Sequence, residues 1–347
     1  MPNIWGGKKY FSSTIDFVFE GKDSLWGADD DTDIEYIYQY LLYTNKTSFL
    51  SGDQIRDGWL KHMKHEEENY LWVSNQKGLD LMLFGEVPPE TSNPEKNPEY
   101  EMIDAQLTTD IFRFFAPTRP DIAINMATLS IQTTARYNAE WISKYYVSMY
   151  SLASKADSSK SIKENLIWMA EESRKILPVD LYSSKMYDFI KEQYDNQLPW
   201  ETIRGKVYQR YQVEQKDGYD LTSKNITCNA SFAAGINFAA SLVSLFCDEC
   251  DLKETIKIGA LAGWDSDNPT ATWAGLLGFM LGKNEVEKTF ERSFSEKFNI
   301  HRTRRNFPSG IDTFSNMAKI GVYITDRVIQ EELGGGIDFE KNIWYIP

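Results

Sequence analysis

Two acidic segments carry the residue types from which a hard-cation site can be built. One is Gly263-Trp-Asp-Ser-Asp-Asn-Pro269, which runs into the apolar stretch Thr270–Gly282; the other is Asp29-Asp-Asp-Thr32, at the head of a second amphipathic stretch. Magnesium takes oxygen ligands in octahedral geometry and keeps several waters. Asp29, Asp30, Asp31 and Thr32 offer carboxylates and a hydroxyl, while Asp265, Asp267 and Asn268 offer two carboxylates and an amide carbonyl. Packed opposite each other, they would supply oxygens for one or two divalent cations about 3.5–4 Å apart. Without a cation, so many carboxylates in one pocket repel and raise one another's pKa. Asp, Asn and Thr are also common helix N-caps, so either segment alone reads as a cap. Three consecutive aspartates in one, and Gly-Trp before and Asn-Pro after the acids of the other, turn the pair toward a metal site.

Such residues need helix starts to hold them, and the hydrophobic spacing predicts many helices. Pro269 suits a first helical position, which leaves Asn268 as the expected N-cap. Ile34, Ile37, Leu41 and Leu42 follow helical spacing after the first acidic segment. Further helices are expected over Gln54–Glu67, Asn69–Leu83, Glu101–Phe115, Ile122–Thr134, Ala139–Ala153 and Ile162–Ile176. Ser183–Gln193, Thr202–Gln215, Ser231–Phe246, Leu252–Ala262, Val286–Lys297 and Ile311–Gly334 complete the set. Gly85–Glu99 and residues 154–160 read as loops. Strand signals are sparse: the one β-branched run, Ile320–Val328, reads equally well as helix. No internal repeat or low-complexity linker splits the chain, so the expectation is one all-α domain over residues 1–347.

Composition narrows the function classes. At 347 residues with a net charge of −14, the chain has no basic stripe for nucleic acid, and its one basic cluster, His301-Arg-Thr-Arg-Arg305, is short. The most apolar runs, Phe232–Phe246 and Ala271–Gly282, are too short or too interrupted to span a bilayer. Residues 1–25 lack the apolar core of a signal peptide, and with three cysteines the cytoplasm is the expected compartment. Cys247 and Cys250 form a lone C-x-x-C after an apolar helix, which reads as two ordinary thiols rather than a zinc site. His62 and His65 sit on a Lys- and Glu-rich stretch expected to be a solvated helix face.

The stretch Ala262-Gly-Trp-Asp-Ser-Asp-Asn-Pro-Thr-Ala-Thr-Trp-Ala-Gly-Leu-Leu-Gly278 resembles the C-terminal metal motif of the ADP-ribosylglycohydrolase family, the dinitrogenase-reductase-activating glycohydrolase type. Asp29–Thr32 resembles that family's N-terminal acidic motif. Between them, Asn97-Pro-Glu-Tyr-Glu-Met-Ile-Asp-Ala-Gln106 and Phe115-Ala-Pro-Thr-Arg-Pro120 look like segments of a bacterial branch. The resemblance runs in order from about residue 25 to about residue 282, leaving 283–347 as a C-terminal helical extension of the same domain. It implies an orthogonal multi-helix bundle with two magnesium ions in a cleft, hydrolysing the N- or O-glycosidic bond of ADP-ribosylated proteins or small molecules. Carried over by position, Asp30, Asp31, Asp265 and Asp267 would be carboxylate ligands. Asp29 and Asn268 stand where many members have Thr, and both keep an oxygen donor. Tyr100 and Trp264 are candidates for substrate stacking. The family's Gly-rich first helix with its glutamate has no counterpart in Met1–Tyr10, and Thr133-Thr134-Ala135 stands where relatives often have a His-containing motif. Glu20, Glu101 and Asp104 are the candidates for the missing catalytic carboxylate. The alternative to a hydrolase is a catalytically impaired protein that binds ADP-ribose-like ligands or a protein partner.

Overall fold

The computed structural model describes residues 15–219, 231–247 and 251–347. Met1–Tyr10 and Cys250 lie outside these residues, and with them the comparison of the first helix and the C-x-x-C pair. The chain divides into two compact units. The first is assembled from Glu20–Tyr100, Asp104–Asp157 and Glu291–Pro347; the second from Met1–Phe19, Glu101–Ile103 and Ser158–Phe290. Helix dominates both, as the all-α class requires.

The first unit holds the helices Asp30–Asn45, Gly52–His62, Ser74–Leu83, Asp104–Thr108, Pro120–Ile131, Tyr137–Ala153 and Phe314–Glu331. Its centre is the Tyr137–Ala153 helix, buried along nearly its whole length and packed against Pro120–Ile131 and the 3-10 turn Asp110–Phe114. The Asp30–Asn45 helix packs on Gly52–His62, Asp104–Thr108, Asp110–Phe114 and Phe314–Glu331 and buries Ile34, Ile37, Tyr38, Leu41 and Leu42. Burial of such side chains contributes about 1.5–3 kcal/mol each. An ionic cluster lies within this packing. Arg113 pairs with Asp110 and stacks its guanidinium 3.3 Å from the Tyr150 ring centre. Burial, offset in part by Arg113, pushes the nearby Glu35 carboxyl up to about 8. Two antiparallel hairpins complete the unit, Lys297–Asn299 with Ile311–Thr313 and Gly336–Asp338 with Ile343–Tyr345.

The second unit holds Ile162–Arg174, Tyr182–Asp195, Trp200–Val207, Ala234–Cys247, Leu252–Ala262, Asp267–Leu281 and Lys283–Thr289. Ala234–Cys247 is its axis, apolar nearly all round, and it packs on Tyr182–Asp195, Trp200–Val207, Leu252–Ala262 and Asp267–Leu281. Close approach needs small residues here: a Cβ on Gly235 would meet the rings of Tyr182 and Tyr219 at 2.6 Å.

Several expected helices are shorter than their periodicity. Gln54–Glu67 ends at His62, because Met63 bridges to Arg304 and the Lys64 amide donates to the Thr303 carbonyl. Asn69–Leu83 begins only at Ser74. Glu101–Phe115 is not one helix but a short helix followed by a 3-10 turn, since Glu101–Ile103 pairs in extended form with 232–234. Thr202–Gln215 changes at Tyr208 into a π-helix that ends at Val213. Val286–Lys297 ends at Thr289, and Ile311–Thr313 is strand before the Phe314–Glu331 helix, so the C-terminal part carries hairpins as well as helix. His62 is not on a solvated face: its ring is fully buried, stacked 4.4 Å from the Phe307 ring centre, and its Nδ1 contacts the Arg305 carbonyl.

Candidate functional site

The expected ligand set falls in two parts, Asp29–Asp31 in the first unit and Asp265–Asn268 in the second. Asp29 is the N-cap of the Asp30–Asn45 helix: its Oδ1 accepts from the Thr32 amide at 2.9 Å and hydroxyl at 2.6 Å. Asp30 and Asp31 open the helix and are half-buried. Asp30 Oδ2 accepts from the Trp72 amide at 3.0 Å and from Asn75 Nδ2 at 3.2 Å. Burial raises the Asp30 carboxyl in spite of these donors, and the Asp29 charge adds to the rise.

Asn75 links Asp30 to a second acid. Its amide N–H donates to Asp104 Oδ1 at 3.2 Å. Asn75 and Asp104 are both buried, and among the described residues Asn75 Oδ1 and Asp104 Oδ2 have no hydrogen-bond partner. Burial, with the Asp30 charge as a further cause, pushes Asp104 up to about 7. Asn75 thus joins the carboxyl groups of Asp30 and Asp104, and its own Oδ1 and Asp104 Oδ2 are left as oxygen donors. That donor set fits a hard divalent cation, whose charge would remove the repulsion. Among the described residues, no group of three or more His, Cys, Asp or Glu side chains is arranged to hold a metal.

The basic cluster supports the same helix start. Arg304 Nε lies 3.1 Å from Asp33 Oδ2, both side chains buried, and the His301 amide lies 3.4 Å from Asp33 Oδ1. Burial outweighs Arg304 and lifts Asp33 to about 7. Exposed Tyr70 and Trp72 flank this region, with Arg302 donating to the Tyr70 hydroxyl at 2.9 Å.

In the second unit, the Leu252–Ala262 helix runs from its Asp251 cap to Gly263, which has φ 91°. Trp264 follows in the left-handed region at φ 60°, a conformation that strains a bulky side chain. The Asp265 amide donates to Asn237 Oδ1 at 3.0 Å, and Asn237 is fully buried with its Nδ2 on the Ser231 and Ala233 carbonyls. The loop is therefore pinned to the central helix. The next helix starts at Asp267, with Ser266 at the cap position, so Asn268 is not the N-cap. Asn268 is buried inside the first turn, where its Oδ1 accepts from the Thr272 hydroxyl at 3.4 Å. Asp265 is half-buried and Asp267 exposed. Arg204 reaches over this loop. Its Nε donates to the Ala262 carbonyl at 2.8 Å, and its guanidinium lies 4.2 Å from the Trp264 ring centre and 5.5 Å from that of Tyr208.

The remaining candidates separate. Glu20 is exposed. Glu101 is not a surface acid: it is buried and accepts from the Tyr182 hydroxyl at 3.0 Å. Tyr100 packs edge-on against Tyr137 within the first unit. Trp273, the other tryptophan of the 262–278 motif, is core, its indole N–H bonded to the Ser241 carbonyl at 2.8 Å.

Nothing in the local pattern marks Asn75, Arg204 or the Asp33–Arg304 pair as part of a site. Asn237 alone gave a signal, as an amide inside the apolar run Ala234–Phe246.

Asp104 gives a pH prediction. With its carboxyl near 7 in the folded chain and about 3.9 when unfolded, the folded state holds the extra proton between these values. Stability linked to this group is complete below the unfolded value and is lost as pH rises through 7, by roughly 4 kcal/mol at most. In chelator, Asp104→Asn should therefore flatten the fall in Tm between pH 4 and pH 8 (roughly the span from the unfolded value to just above the folded one). A fall as steep as in the unaltered chain would remove the assignment.

No helix of the described residues is long and apolar enough to cross a membrane. A scan against protein-family models and a search of curated proteins returned no match to this chain.

Proposed function

We propose that the protein is a magnesium-dependent hydrolase that cleaves the N- or O-glycosidic bond of ADP-ribosylated or related ribosyl substrates. One observation carries most weight: Asp30 opens its helix beside two buried oxygens, Asp104 Oδ2 and Asn75 Oδ1, that have no hydrogen-bond partner among the described residues. Oxygen-only sites of this kind suit magnesium. In the first unit Asp30 and Asp31 would be carboxylate ligands, and in the second Asp265 and Asp267; Asp29 adds charge, and Asn268 Oδ1 already accepts from Thr272. When bound, magnesium would orient the ribose hydroxyls and a water toward the anomeric carbon. The protein's own part is to hold Asp30 through Trp72 and Asn75, and Asp265 through Asn237, so that little reorganisation accompanies reaction. Carboxylates placed near an oxocarbenium-like transition state also stabilise it directly.

Binding without cleavage is the alternative, and specific features favour it. Glu20 is exposed and Glu101 is engaged by Tyr182, so neither stands ready for proton transfer. ADP-ribose release from a modified protein and from a small-molecule conjugate, with magnesium and with chelator, separates the two. Release that stops in chelator and returns with magnesium supports the hydrolase. Magnesium-dependent binding of ADP-ribose without release supports the binder, and neither behaviour rejects both.

A further inference from the structure

We infer that Arg204 and Trp264 form a phosphate-binding subsite, which takes the diphosphate of an ADP-ribose-type ligand; the identity of that ligand rests on the function proposed above. Arg204 is half-buried in a chain of net charge −14, yet no carboxylate pairs with it among the described residues. A guanidinium withdrawn from water without a counter-charge is costly to keep. Here burial lowers it to about 10, so it remains a cation at neutral pH.

Its geometry is that of a prepared receptor. Nε is fixed on the Ala262 carbonyl, and the aromatic faces of Trp264 and Tyr208 hold the plane of the group. Neither Nη nitrogen makes a hydrogen bond within the described residues, which leaves a planar fork of N–H donors. That fork matches the oxygens of a phosphate and forms charge-assisted bonds with it.

The backbone on both sides is unusual. Trp264 sits at φ 60°, directly before Asp265, and the helix bearing Arg204 passes into a π-helix at Tyr208. Left-handed bulky residues and π-turns are costly and gather where a side chain must be aimed. A cationic cap on the end of the Leu252–Ala262 helix would also use the Ala262 carbonyl. Such a cap requires neither a strained tryptophan nor two free donor nitrogens.

Calorimetric titration of ADP-ribose, ADP and adenosine with magnesium present, into the unaltered chain, Arg204→Ala and Arg204→Lys, tests the subsite. ADP-ribose and ADP should bind the unaltered chain at least about tenfold more tightly than adenosine, and Arg204→Ala should lose about ten- to a hundredfold for both. Arg204→Lys should recover only part, since a point charge lacks the fork. Equal ADP affinity in the unaltered chain and either variant overturns the subsite, as does ADP binding no tighter than adenosine or absent altogether. Should Arg204→Ala fail to fold, Arg204→Lys decides alone. Loss of ADP affinity in the variants, with no ADP-ribose release by the unaltered chain, keeps the subsite and removes the hydrolase. Release with an unchanged KM in Arg204→Ala keeps the hydrolase and removes the subsite.

Discussion

Replacing Arg304 with methionine should destabilise the protein by about 3–5 kcal/mol, because it leaves Asp33 a buried carboxylate with no counter-charge and only the His301 amide beside it. Arg304 also donates to the Asn69 carbonyl at 2.9 Å and the Thr303 hydroxyl at 2.7 Å, so two further bonds go with it. The pH dependence has a definite sign. Asp33 already sits near 7 when folded, well above an unfolded carboxylate. Its proton therefore stabilises the folded state at low pH, and that contribution disappears as pH rises through 7. Removing Arg304 lifts the folded value further, so the penalty should be smallest in acid and largest above neutrality. Denaturant melts of Arg304→Met, Asp33→Asn and the double variant measure it. The double variant should be more stable than Arg304→Met, since it leaves no stranded charge. Additive losses would mean that the two side chains are not coupled.

Asp30→Asn is expected to abolish magnesium-dependent turnover, by about a thousandfold or roughly 4 kcal/mol of transition-state stabilisation. The substitution keeps an oxygen for the Trp72 amide and removes only the charge, so the fold should survive. In chelator the variant should be as stable as the unaltered chain or more so, because burial already disfavours the Asp30 carboxylate. Added magnesium should raise the Tm of the unaltered chain and leave the variant nearly unmoved. Asp265→Asn offers the parallel test in the second unit. If Asp30→Asn and Asp265→Asn both retain magnesium affinity and release, the metal assignment is wrong.

What the sequence reveals depends on how local the cause is. The Leu252–Ala262 helix has the limits its pattern predicts, since an Asp251 cap opens it and Gly263 closes it. Asp29–Thr32 likewise opens a helix, with Asp29 capping in the expected way. Where the deciding partner is remote, the pattern overruns. The Gly52–His62 helix stops because a backbone segment near Thr303 pairs with Met63 and Lys64, and nothing nearby announces it. The same loop buries His62 under Phe307, turning an apparently solvated face into core. The candidate sites divide in the same way. Their acids stand in recognisable runs, but the groups that hold them do not. Asn75 lies 45 residues from Asp30, and Asn237 lies 28 from Asp265. Arg204, 58 residues before the Ala262 carbonyl it binds, belongs to a pattern that spacing alone never presents.

The first unit is threaded from three stretches of chain, the last beginning at Glu291. Asp33 and the His301 amide that approaches it are 268 residues apart. At typical elongation rates the ribosome needs roughly 15–50 s to cover that distance. Throughout this interval Asp33 exists without the arginine that pairs with it in the folded unit. The second unit draws most of its residues from the continuous stretch Ser158–Phe290 and is complete before Arg304 is made. Nascent protein therefore passes through a stage in which every residue of the second unit has been made while the first still lacks its last stretch of chain.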